Sequence, residues 1–260
     1  MSHYTLTPRN IQIRDNFDAI APKYDLTNRV ISLGIDLHWR RVAVRQLKDV
    51  PPDGIVLDLA CGTCDMALEV LRQRPAARVV GADLSRVMLG LARPKLAQRA
   101  AGPRGAATRG GAAPNGARGA NGAGPVSLVN APAEALPFAD GSFDAVTMAF
   151  GIRNVPDFMA GLKEMLRVLR RGGRACILEF STPPSKLWWK MYNYYFFNVL
   201  PRIGGMITGR EAAYRYLTDS VALFPDMDEF KAAMQQAGFT RVAILSMNGG
   251  IVCVHTGVRP

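Results

Sequence analysis

The fold of this chain is decided by the stretch Ile55-Val56-Leu57-Asp58-Leu59-Ala60-Cys61-Gly62-Thr63-Cys64-Asp65-Met66-Ala67-Leu68. Its first residues form a short apolar run of the kind found in buried parallel strands, and apolar residues at helical spacing follow Asp65. Gly62 lies between the two and marks a tight turn. The sequence therefore predicts a strand, a turn and a helix, the element that opens nucleotide-binding α/β domains.

A second apolar run, 79–82, ends at Asp83. A second parallel strand at this distance places a carboxylate where it can accept hydrogen bonds from two ribose hydroxyls. The turn lacks two glycines of the dinucleotide fingerprint, which disfavours pyrophosphate binding. It fits instead the looser acidic-x-small-x-Gly-x-small turn of methyltransferases, whose cofactor S-adenosylmethionine has no phosphates: Asp58, Ala60, Gly62 and Cys64. Taken alone, the turn fits an ordinary βα turn of another doubly wound protein equally well.

Apolar runs and helical patterns alternate along the rest of the chain. The strand candidates are 55–60, 78–83, 126–130, 143–149 and 174–180, and helical patterns cover 65–74, 86–99, 156–170 and 227–237. This alternation predicts a doubly wound, mostly parallel sheet. Asn248-Gly249-Gly250 joins two final runs, 240–247 and 250–258, as a hairpin. The predicted fold is therefore α/β, a Rossmann-type class I S-adenosylmethionine-dependent methyltransferase with a seven-stranded sheet and a C-terminal antiparallel hairpin.

Residues 1–50 are predicted to form an N-terminal helical cap, with Val30, Leu33 and Leu37 at helical spacing on its apolar face. The segment 17–25, which contains a proline break and a Tyr-Asp pair, is a candidate cover that closes over a ligand or simply packs the cap down.

Residues 51–260 are predicted to form the methyltransferase part of one structural domain that includes the cap. Within them, 101–125 consists almost wholly of Ala, Gly, Pro, Arg and Asn. Such a composition buries too little apolar surface to offset chain entropy, so we expect a disordered insertion. The segment 184–222 is predicted to form a lid or substrate region.

The formal net charge of +11 predicts affinity for an anionic surface, either nucleic acid or a membrane. A basic nucleic-acid-binding protein is the non-enzyme alternative, but its sequence would be expected to contain a reading module, and none is recognisable. The alternative is that the net charge of +11 serves only to keep the protein soluble. No apolar run approaches the roughly 18 residues of a membrane span, and the first residues lack a signal-peptide core. We therefore expect a cytoplasmic protein.

Cys61 and Cys64 form a C-x-x-C pair at a predicted helix N-terminus, where thiol pKa values are lowered. A redox or metal-binding role is therefore an alternative. The chain has no second such pair, and His3, His38 and His255 are distant in sequence, so no metal site is predicted. A redox role also leaves the later motifs unexplained.

Three separated motifs carry a family resemblance: Asn16-Phe17-Asp18-Ala19-Ile20-Ala21-Pro22-Lys23-Tyr24-Asp25, Ala149-Phe150-Gly151-Ile152-Arg153-Asn154-Val155 and Tyr214-x-Tyr216-Leu217-x-x-Ser220-Val221-x-x-Phe224-Pro225. In this order they resemble the ubiquinone/menaquinone biosynthesis C-methyltransferase family (UbiE/MenG), and the resemblance covers the chain apart from 101–125. It implies methyl transfer from S-adenosylmethionine to a ring carbon of a prenylated quinol, with demethylmenaquinol to menaquinol as the expected reaction. The C-methylation step of ubiquinone biosynthesis and another lipid or phenolic acceptor stay open as alternatives.

The turn pattern and the resemblance together imply six cofactor-binding residues: Asp58, Gly62, Thr63, Asp83, Ala133 and Ala149. Asp83 would accept hydrogen bonds from the ribose, Ala133 would offer backbone near the adenine, and Ala149 would lie beside the methionine part. Three positions depart from the family pattern. The family usually has glycine where this chain has Cys64, Asp or Asn where it has Pro132, and often serine where it has Ala149. Pro132 has neither a polar side chain nor a backbone N–H to offer the adenine.

The resemblance places Arg153 and Asn154 after the fourth strand, at the ligand edge of the sheet. We expect Arg153 to stabilise a developing phenolate and Asn154 to orient a hydroxyl. The alternative is that Asn154 only caps the next helix. The general base is not identified: water held by Arg153 is one candidate, and His38 or Tyr24 are others.

A prenylated substrate requires an apolar entrance, and the aromatic segment 186–197 is expected to form it or to pack in the core. Flanking cations would favour anionic headgroups: Lys186, Lys190, Arg202 and Arg210. We therefore expect peripheral contact with an anionic membrane on its inner face; the oligomeric state, including a homodimer, stays open. A second basic group is predicted to surround the end of the 156–170 helix, where cations favour the helix C-terminus: Arg167, Arg170, Arg171 and Arg174.

Overall fold

The computed structural model describes residues 5–101, 126–183, 185, 190, 193–209 and 211–260. Apart from Ala101, the predicted insertion 101–125 lies outside the described residues. So do parts of the predicted lid region 184–222 and of the aromatic segment, together with Lys186 and Arg210. Those predictions, and the division into cap and methyltransferase part, therefore stay predictions.

One sheet contains the strands β1 (Ile55–Leu59), β2 (Arg78–Asp83), β3 (Val126–Asn130), β4 (Phe143–Ala149), β5 (Leu169–Phe180), β6 (Thr240–Met247) and β7 (Val252–Val258). Their order is β3-β2-β1-β4-β5-β7-β6. β1 to β5 pair in parallel, whereas β7 runs antiparallel to both β5 and β6. The predicted Rossmann-type class I methyltransferase fold, with its seven strands and C-terminal antiparallel hairpin, is confirmed.

The helices that precede the sheet are α1 (Pro8–Ile20), α2 (Tyr24–Ile31) and α3 (Ile35–Arg45). The later ones are α4 (Asp65–Gln73), α5 (Arg86–Ala101), α6 (Phe158–Val168), α7 (Leu200–Thr208), α8 (Glu211–Ala222) and α9 (Met227–Gln236). Side chains of α3, α4 and α5 form one apolar core with one face of the sheet, and those of α6 and α9 form a second core on the other face. All five residues of β1 are buried because helices cover both faces.

The prediction that Val30, Leu33 and Leu37 form the inner face of the cap is wrong. The helix breaks after Ile31, and Leu33 lies in the connecting turn with φ 51° and 91% of its surface exposed. Val30 and Leu37 are exposed as well. Val30, Leu33 and Leu37 have helical spacing in the sequence, but they lie on α2, the turn and α3, so they do not share one helix face. The buried side of α3 is formed by Trp39, which the apolar pattern also indicated, together with Ala43 and Val44.

The helix predicted over 156–170 ends at Val168, and β5 begins at Leu169 instead of residue 174. Gly172 has φ +75°, a conformation that suits glycine, and its N–H donates to the carbonyl of Arg259. The two glycines therefore lie within an irregular strand and do not form a turn after a helix.

Three of the four arginines predicted to meet the helix C-terminus lie in β5 instead: Arg170, Arg171 and Arg174. Arg170 pairs with Asp144 at 2.6 Å, and Arg174 pairs with Asp49 at 2.7 Å. Only Arg167 lies in the last turn of α6. The charges of Arg170 and Arg174 are thus paired with carboxylates and do not meet a helix dipole.

Candidate active site

The site lies at the carboxyl ends of β1, β2 and β4, where the strand order reverses between β1 and β4. Ligands of open α/β sheets bind in the crevice at such a switch point. Three connected cavities open there. Two of them have a volume of about 740 Å³ each and the third of about 330 Å³.

Each cavity is named after the element that dominates its wall. The β2 cavity is lined by Asp83, Ser85 and the segment 131–134, among others. The smaller turn cavity is lined by residues of the turn after β1 and by Arg40. The cap cavity lies between the N-terminal helices and the end of β4. Tyr24 lines all three cavities, so it stands where they meet.

The structure brings the eight predicted site residues together around these cavities. Gly62, Asp83, Ala133 and Ala149 line the β2 cavity. The turn cavity adds two more: Asp58 and Thr63. Arg153 and Asn154 line the cap cavity, and Asn154 reaches the β2 cavity too. Their individual roles remain predictions.

The turn after β1 has an unusual backbone. Ala60, Gly62 and Cys64 all have positive φ, at 51°, 53° and 68°. A Cβ added at Gly62 would meet no atom within 4 Å, because the turn faces open space there. Cys64 therefore occupies the left-handed conformation that favours the glycine expected at this position, and its side chain is fully buried.

Asp83 ends β2 with its carboxylate held by two backbone donors. The N–H of Gly62 donates to Oδ2 at 2.7 Å, and the N–H of Ser85 donates to Oδ1 at 2.8 Å. Burial raises the pKa of Asp83 to about 6, against the lowering effect of these two hydrogen bonds. Each carboxylate oxygen keeps a lone pair for a further donor.

Asp58 is the penultimate residue of β1, just before the turn, and its side chain is completely buried. It accepts a hydrogen bond from the N–H of Ala67 at 2.9 Å and from Oγ1 of Thr147 at 3.0 Å. Burial raises its pKa to about 7. The carboxylate thus fixes the first turn of α4 and joins β1 to β4.

The hydroxyl of Thr63 ties the turn to the cap. It donates to Oδ1 of Asp25 at 2.6 Å and accepts from Nζ of Lys95 at 3.1 Å. Lys95 also reaches Asp25 and Asp65, at 2.8 and 2.6 Å. Within the Tyr-Asp pair of the cap segment, Asp25 is therefore a structural contact of the turn.

Arg153 is held rigidly at the wall of the cap cavity. Its Nη1 donates to Oε1 of Glu179 at 2.5 Å and to the carbonyl of Phe150 at 2.9 Å, and its Nε donates to Oγ of Ser220 at 3.3 Å. The guanidinium lies over the ring of Phe180, 5.4 Å from its centroid. Burial raises the pKa of Glu179, although Arg153 opposes this.

Asn154 follows in a short 3-10 helix, and its buried Oδ1 has no hydrogen-bond partner among the described residues. The capping alternative for this residue is wrong, because the N-cap of α6 is Asp157. A buried amide oxygen without a donor is costly. Its position on two cavities makes it a candidate acceptor for a ligand hydroxyl.

Sequence reasoning missed several polar residues of the site: Asp25, Arg40, Lys95, Glu179 and Ser220. They come from distant elements, so no spacing connects them. Glu179 alone gave a local signal, since a carboxylate inside the apolar run 176–180 is a buried charge that requires a partner.

The C-x-x-C pair does not have the properties of a redox site. Cys61 and Cys64 are free and buried. The contact with Cys64 and burial hold the pKa of Cys61 well above its usual value, which disfavours the reactive thiolate. Among the described residues, no cluster of three or more His, Cys, Asp or Glu side chains is arranged to hold a metal ion.

The model of the ubiE/COQ5 methyltransferase family matches residues 6–105 and 114–259. The chain belongs to the ubiE/COQ5 methyltransferase family. It is 46% identical over 257 residues to the ubiquinone/menaquinone biosynthesis C-methyltransferase UbiE of Geobacter sulfurreducens, covering 98% of this chain and 91% of the relative. It is 44% identical over 245 residues to the demethylmenaquinone methyltransferase of Thermus thermophilus, covering 94% and 100%. This ubiE/COQ5 family member is therefore an S-adenosylmethionine-dependent methyltransferase.

Solved structures agree on the fold of the family member. An S-adenosylmethionine-dependent methyltransferase from Thermotoga maritima matches with a TM-score of 0.59 at 19% identity, covering 95% of this chain and all of the other. The [4+2]-cyclase SpnF matches with the same TM-score at 15% identity, covering 98% of each chain. The same fold therefore supports different reactions, and the reaction has to be argued from the site.

The residues of this ubiE/COQ5 family member fit the cofactor. Asp83 offers a carboxylate at the end of β2, where a ribose binds in this fold. Gly62 presents bare backbone to the cavity, and the β2 and turn cavities join beside Ala60 and Ala149. We expect the adenosine part in the β2 cavity and the methionine part in the turn cavity.

Binding of the adenosine part is expected to depend on the ionisation of Asp83. As the pH falls below the pKa of about 6, the carboxyl gains a proton and loses acceptor capacity. Affinity for 5′-methylthioadenosine, which has no amine or carboxylate, is therefore expected to be constant above about pH 7 and to fall about tenfold by about pH 5. Calorimetric titration across this range measures it. The matched control is Asp83→Asn, whose weaker binding should be independent of pH. If this variant still lost affinity below about pH 7 as the unmodified protein does, the assignment would be refuted.

Proposed function

We propose that this methyltransferase transfers a methyl group to a ring carbon of a prenylated quinol, with demethylmenaquinol as acceptor and menaquinol as product. The cap cavity carries this proposal. It is lined by aromatic rings and holds Arg153. It meets the β2 cavity at Phe17, Tyr24, Phe150 and Asn154, and it meets the turn cavity at Tyr24 and Arg40. A flat aromatic ring held there would face the methionine end of the cofactor. The names of the relatives, which include a demethylmenaquinone methyltransferase, support the same class of acceptor.

The demethylated benzoquinol of ubiquinone biosynthesis is the second candidate acceptor. The relatives named for both ubiquinone and menaquinone favour keeping it. Both acceptors have a flat aromatic ring, which the aromatic side chains that line the cap cavity suit. The two acceptors differ in ring size, so they are separated by the experiment below.

When bound, S-adenosylmethionine supplies an electrophilic methyl group, and its sulfur keeps the bonding electrons as the ring carbon takes that group. Arg153 is proposed to stabilise the oxyanion that makes the adjacent ring carbon nucleophilic. Its guanidinium is fixed by Glu179, Phe150 and Ser220 before the acceptor arrives, so it need not reorganise during the reaction. Asn154 is proposed to accept a hydrogen bond from an acceptor hydroxyl through its unpaired Oδ1.

Among the candidate bases, water beside Arg153 is favoured. His38 is exposed and is not part of the cavity walls, and burial raises the pKa of Tyr24, which disfavours its phenolate. Water next to the Arg153–Glu179 pair can receive the hydroxyl proton of the acceptor. After methyl transfer, the methylated ring carbon loses its hydrogen as a proton and the oxyanion regains one, so the quinol is restored and one net proton passes to solvent. Glu179 itself acts through Arg153 and is therefore a positioning residue.

The acceptor is tested with purified protein, labelled S-adenosylmethionine and two reduced substrates, demethylmenaquinol and demethylated benzoquinol. We expect label in the lipid phase with demethylmenaquinol and a kcat/KM at least about tenfold lower with the benzoquinol. Preference for the benzoquinol would support the second candidate. Cofactor binding without label in either quinol would refute quinol methylation.

Replacing Arg153 tests its role in the reaction. Arg153→Lys keeps the charge but loses the guanidinium geometry, and we expect kcat to fall about 100-fold with S-adenosylhomocysteine affinity changed less than about threefold. Glu179→Gln should lower kcat about tenfold because Arg153 loses its charged partner. Arg170→Lys is the matched control and should retain activity, because Arg170 lies at the start of β5, at the end of the sheet away from the site. Equal losses in kcat for all three variants would contradict the assignment.

We also propose that the protein contacts an anionic membrane peripherally, from the cytoplasmic side. No helix in the described part of the chain is long and apolar enough to cross a membrane. We assign this contact to five exposed apolar residues on α2, the turn after it, α3 and α7, which we call the docking face: Leu26, Val30, Leu33, Leu37 and Met206. The opposite side of α2 lines the cap cavity through Asn28 and Ile31. A prenyl tail that leaves this cavity beside α2 would reach the bilayer directly.

Cations accompany the docking face. Lys23, the N-cap residue of α2, donates to the carbonyl of Ile207 in α7 at 2.6 Å, which joins two of the three helices that carry the face. Arg41 follows Leu37 by one helical turn, and Arg202 precedes Met206 by one turn; both are exposed. Apolar side chains with nearby cations are the combination that favours anionic interfaces.

Leu33→Asp is expected to weaken binding to vesicles of phosphatidylglycerol and phosphatidylcholine at least about tenfold, because burial of one leucine contributes about 1.5–3 kcal/mol. Vesicle sedimentation measures the partition. Leu223→Asp, at a leucine of similar exposure outside the docking face, is the control. Undiminished vesicle binding by Leu33→Asp would refute this surface, whereas methylation of a short-chain soluble acceptor should continue in either case.

A further inference from the structure

Arg40 is a buried arginine that the proposed reaction does not use. It lies on α3 with 6% of its surface exposed, and it lines both the turn cavity and the cap cavity. Its Nη1 donates to Oδ2 of Asp36 at 2.6 Å, and its guanidinium lies 5.3 Å from the centroid of Phe150. Its Nε is buried and has no hydrogen-bond partner in the described part of the chain. A buried N–H of a charged group without an acceptor is costly, so this atom calls for one.

Arg40 stands at one end of an alternating series of charges that runs from the cap to the turn. The series contains three cations and three carboxylates in the order Arg40, Asp36, Arg29, Asp65, Lys95 and Asp25. Internal members each contact opposite charges on both sides, which neutralises them. Arg40 ends the series with a single carboxylate partner, and Arg29 shares that carboxylate. Of the two arginines that contact Asp36, Arg40 is therefore less compensated than Arg29, which also contacts Asp65.

We propose that Arg40 binds the carboxylate of the methionine part of S-adenosylmethionine. The wall of the turn cavity supports this assignment because its polar groups are otherwise acidic or neutral: Asp58, Thr63 and Asp65. The methionine part carries one ammonium and one carboxylate. The acids suit the ammonium, and Arg40 is the single cation that lines this cavity among the described residues. A guanidinium is the preferred partner of a carboxylate because it offers parallel N–H donors.

The position of Arg40 explains why a cap residue would serve the cofactor. Ala149 and Tyr24 line both the turn and β2 cavities, so a ligand anchored at Asp83 extends past them toward α3. The ring of Phe150 lies under the guanidinium and separates it from Phe180, which faces the acceptor. The carboxylate would thus be held on one side of Phe150 and the acceptor ring on the other.

The test combines an Arg40→Met variant with two ligands that differ only in the carboxylate. These are S-adenosylhomocysteine and its decarboxylated analogue, which keeps the amine. In the unmodified protein, S-adenosylhomocysteine should bind about 10- to 100-fold more tightly than the analogue. Arg40→Met should remove most of this difference: its affinity for S-adenosylhomocysteine should fall by the same factor, and its affinity for the analogue should change less than about threefold. Calorimetry on the apo protein measures binding without any turnover.

The ligand comparison in the unmodified protein needs no variant, so it can refute the proposal even where Arg40→Met lowers stability. Arg40→Lys should restore part of the preference for the carboxylate, because it returns the charge without the fork of donors. Arg41→Met, at the exposed neighbour, is the matched control and should bind both ligands as the unmodified protein does. Equal affinity of the unmodified protein for the two ligands, or equal losses for both ligands in Arg40→Met, would overturn the proposal.

Discussion

The carboxylate of Asp58 is the contact on which the rest of the site depends. It is completely buried, and it joins three elements at once: β1, which carries it, α4 through the N–H of Ala67, and β4 through Thr147. Burial of this group is compensated only by those donors and by distant charge, which is why its pKa is raised to about 7. The crevice between β1 and β4 opens directly above it, so the position of the turn, and of every cavity around it, follows from this anchor.

The cap completes what the sheet begins. Asp25 and Asp18 reach the turn and the start of α5 through Thr63 and Ser85, so polar contacts seat the helices over the strand ends. Tyr24 lies in the centre of this arrangement and touches all three cavities. The protein thus builds its binding space between two layers, and neither the sheet nor the cap encloses a cavity alone. A site between two layers can limit bulk solvent around the reacting groups while keeping the water beside Arg153 that the proposed proton transfer uses.

The structure shows how the fold accommodates the three residues that depart from the family pattern. Cys64 adopts the left-handed backbone usually given to glycine, and its thiol packs beside Gly81 in the core, so the strain is offset by burial. Pro132 lies in the wall of the β2 cavity without a donor, but the neighbouring N–H of Ala131 is directed to the carbonyl of Asp83 and holds the loop in place. Ala149 leaves space where the β2 and turn cavities join.

The sequence by itself determined the fold class and the turn after β1, because both depend on local patterns. Apolar runs set the strands, Gly62 set the turn, and the segment 248–250 set the final hairpin. Local patterns failed where the chain reversed or where a strand absorbed glycines, as at Leu33 and Gly172. Only the tertiary structure decided the polar partnerships. Glu179 meets Arg153, and Arg40 meets the turn cavity, through the order of strands and the packing of the cap, and no spacing along the chain encodes those distances.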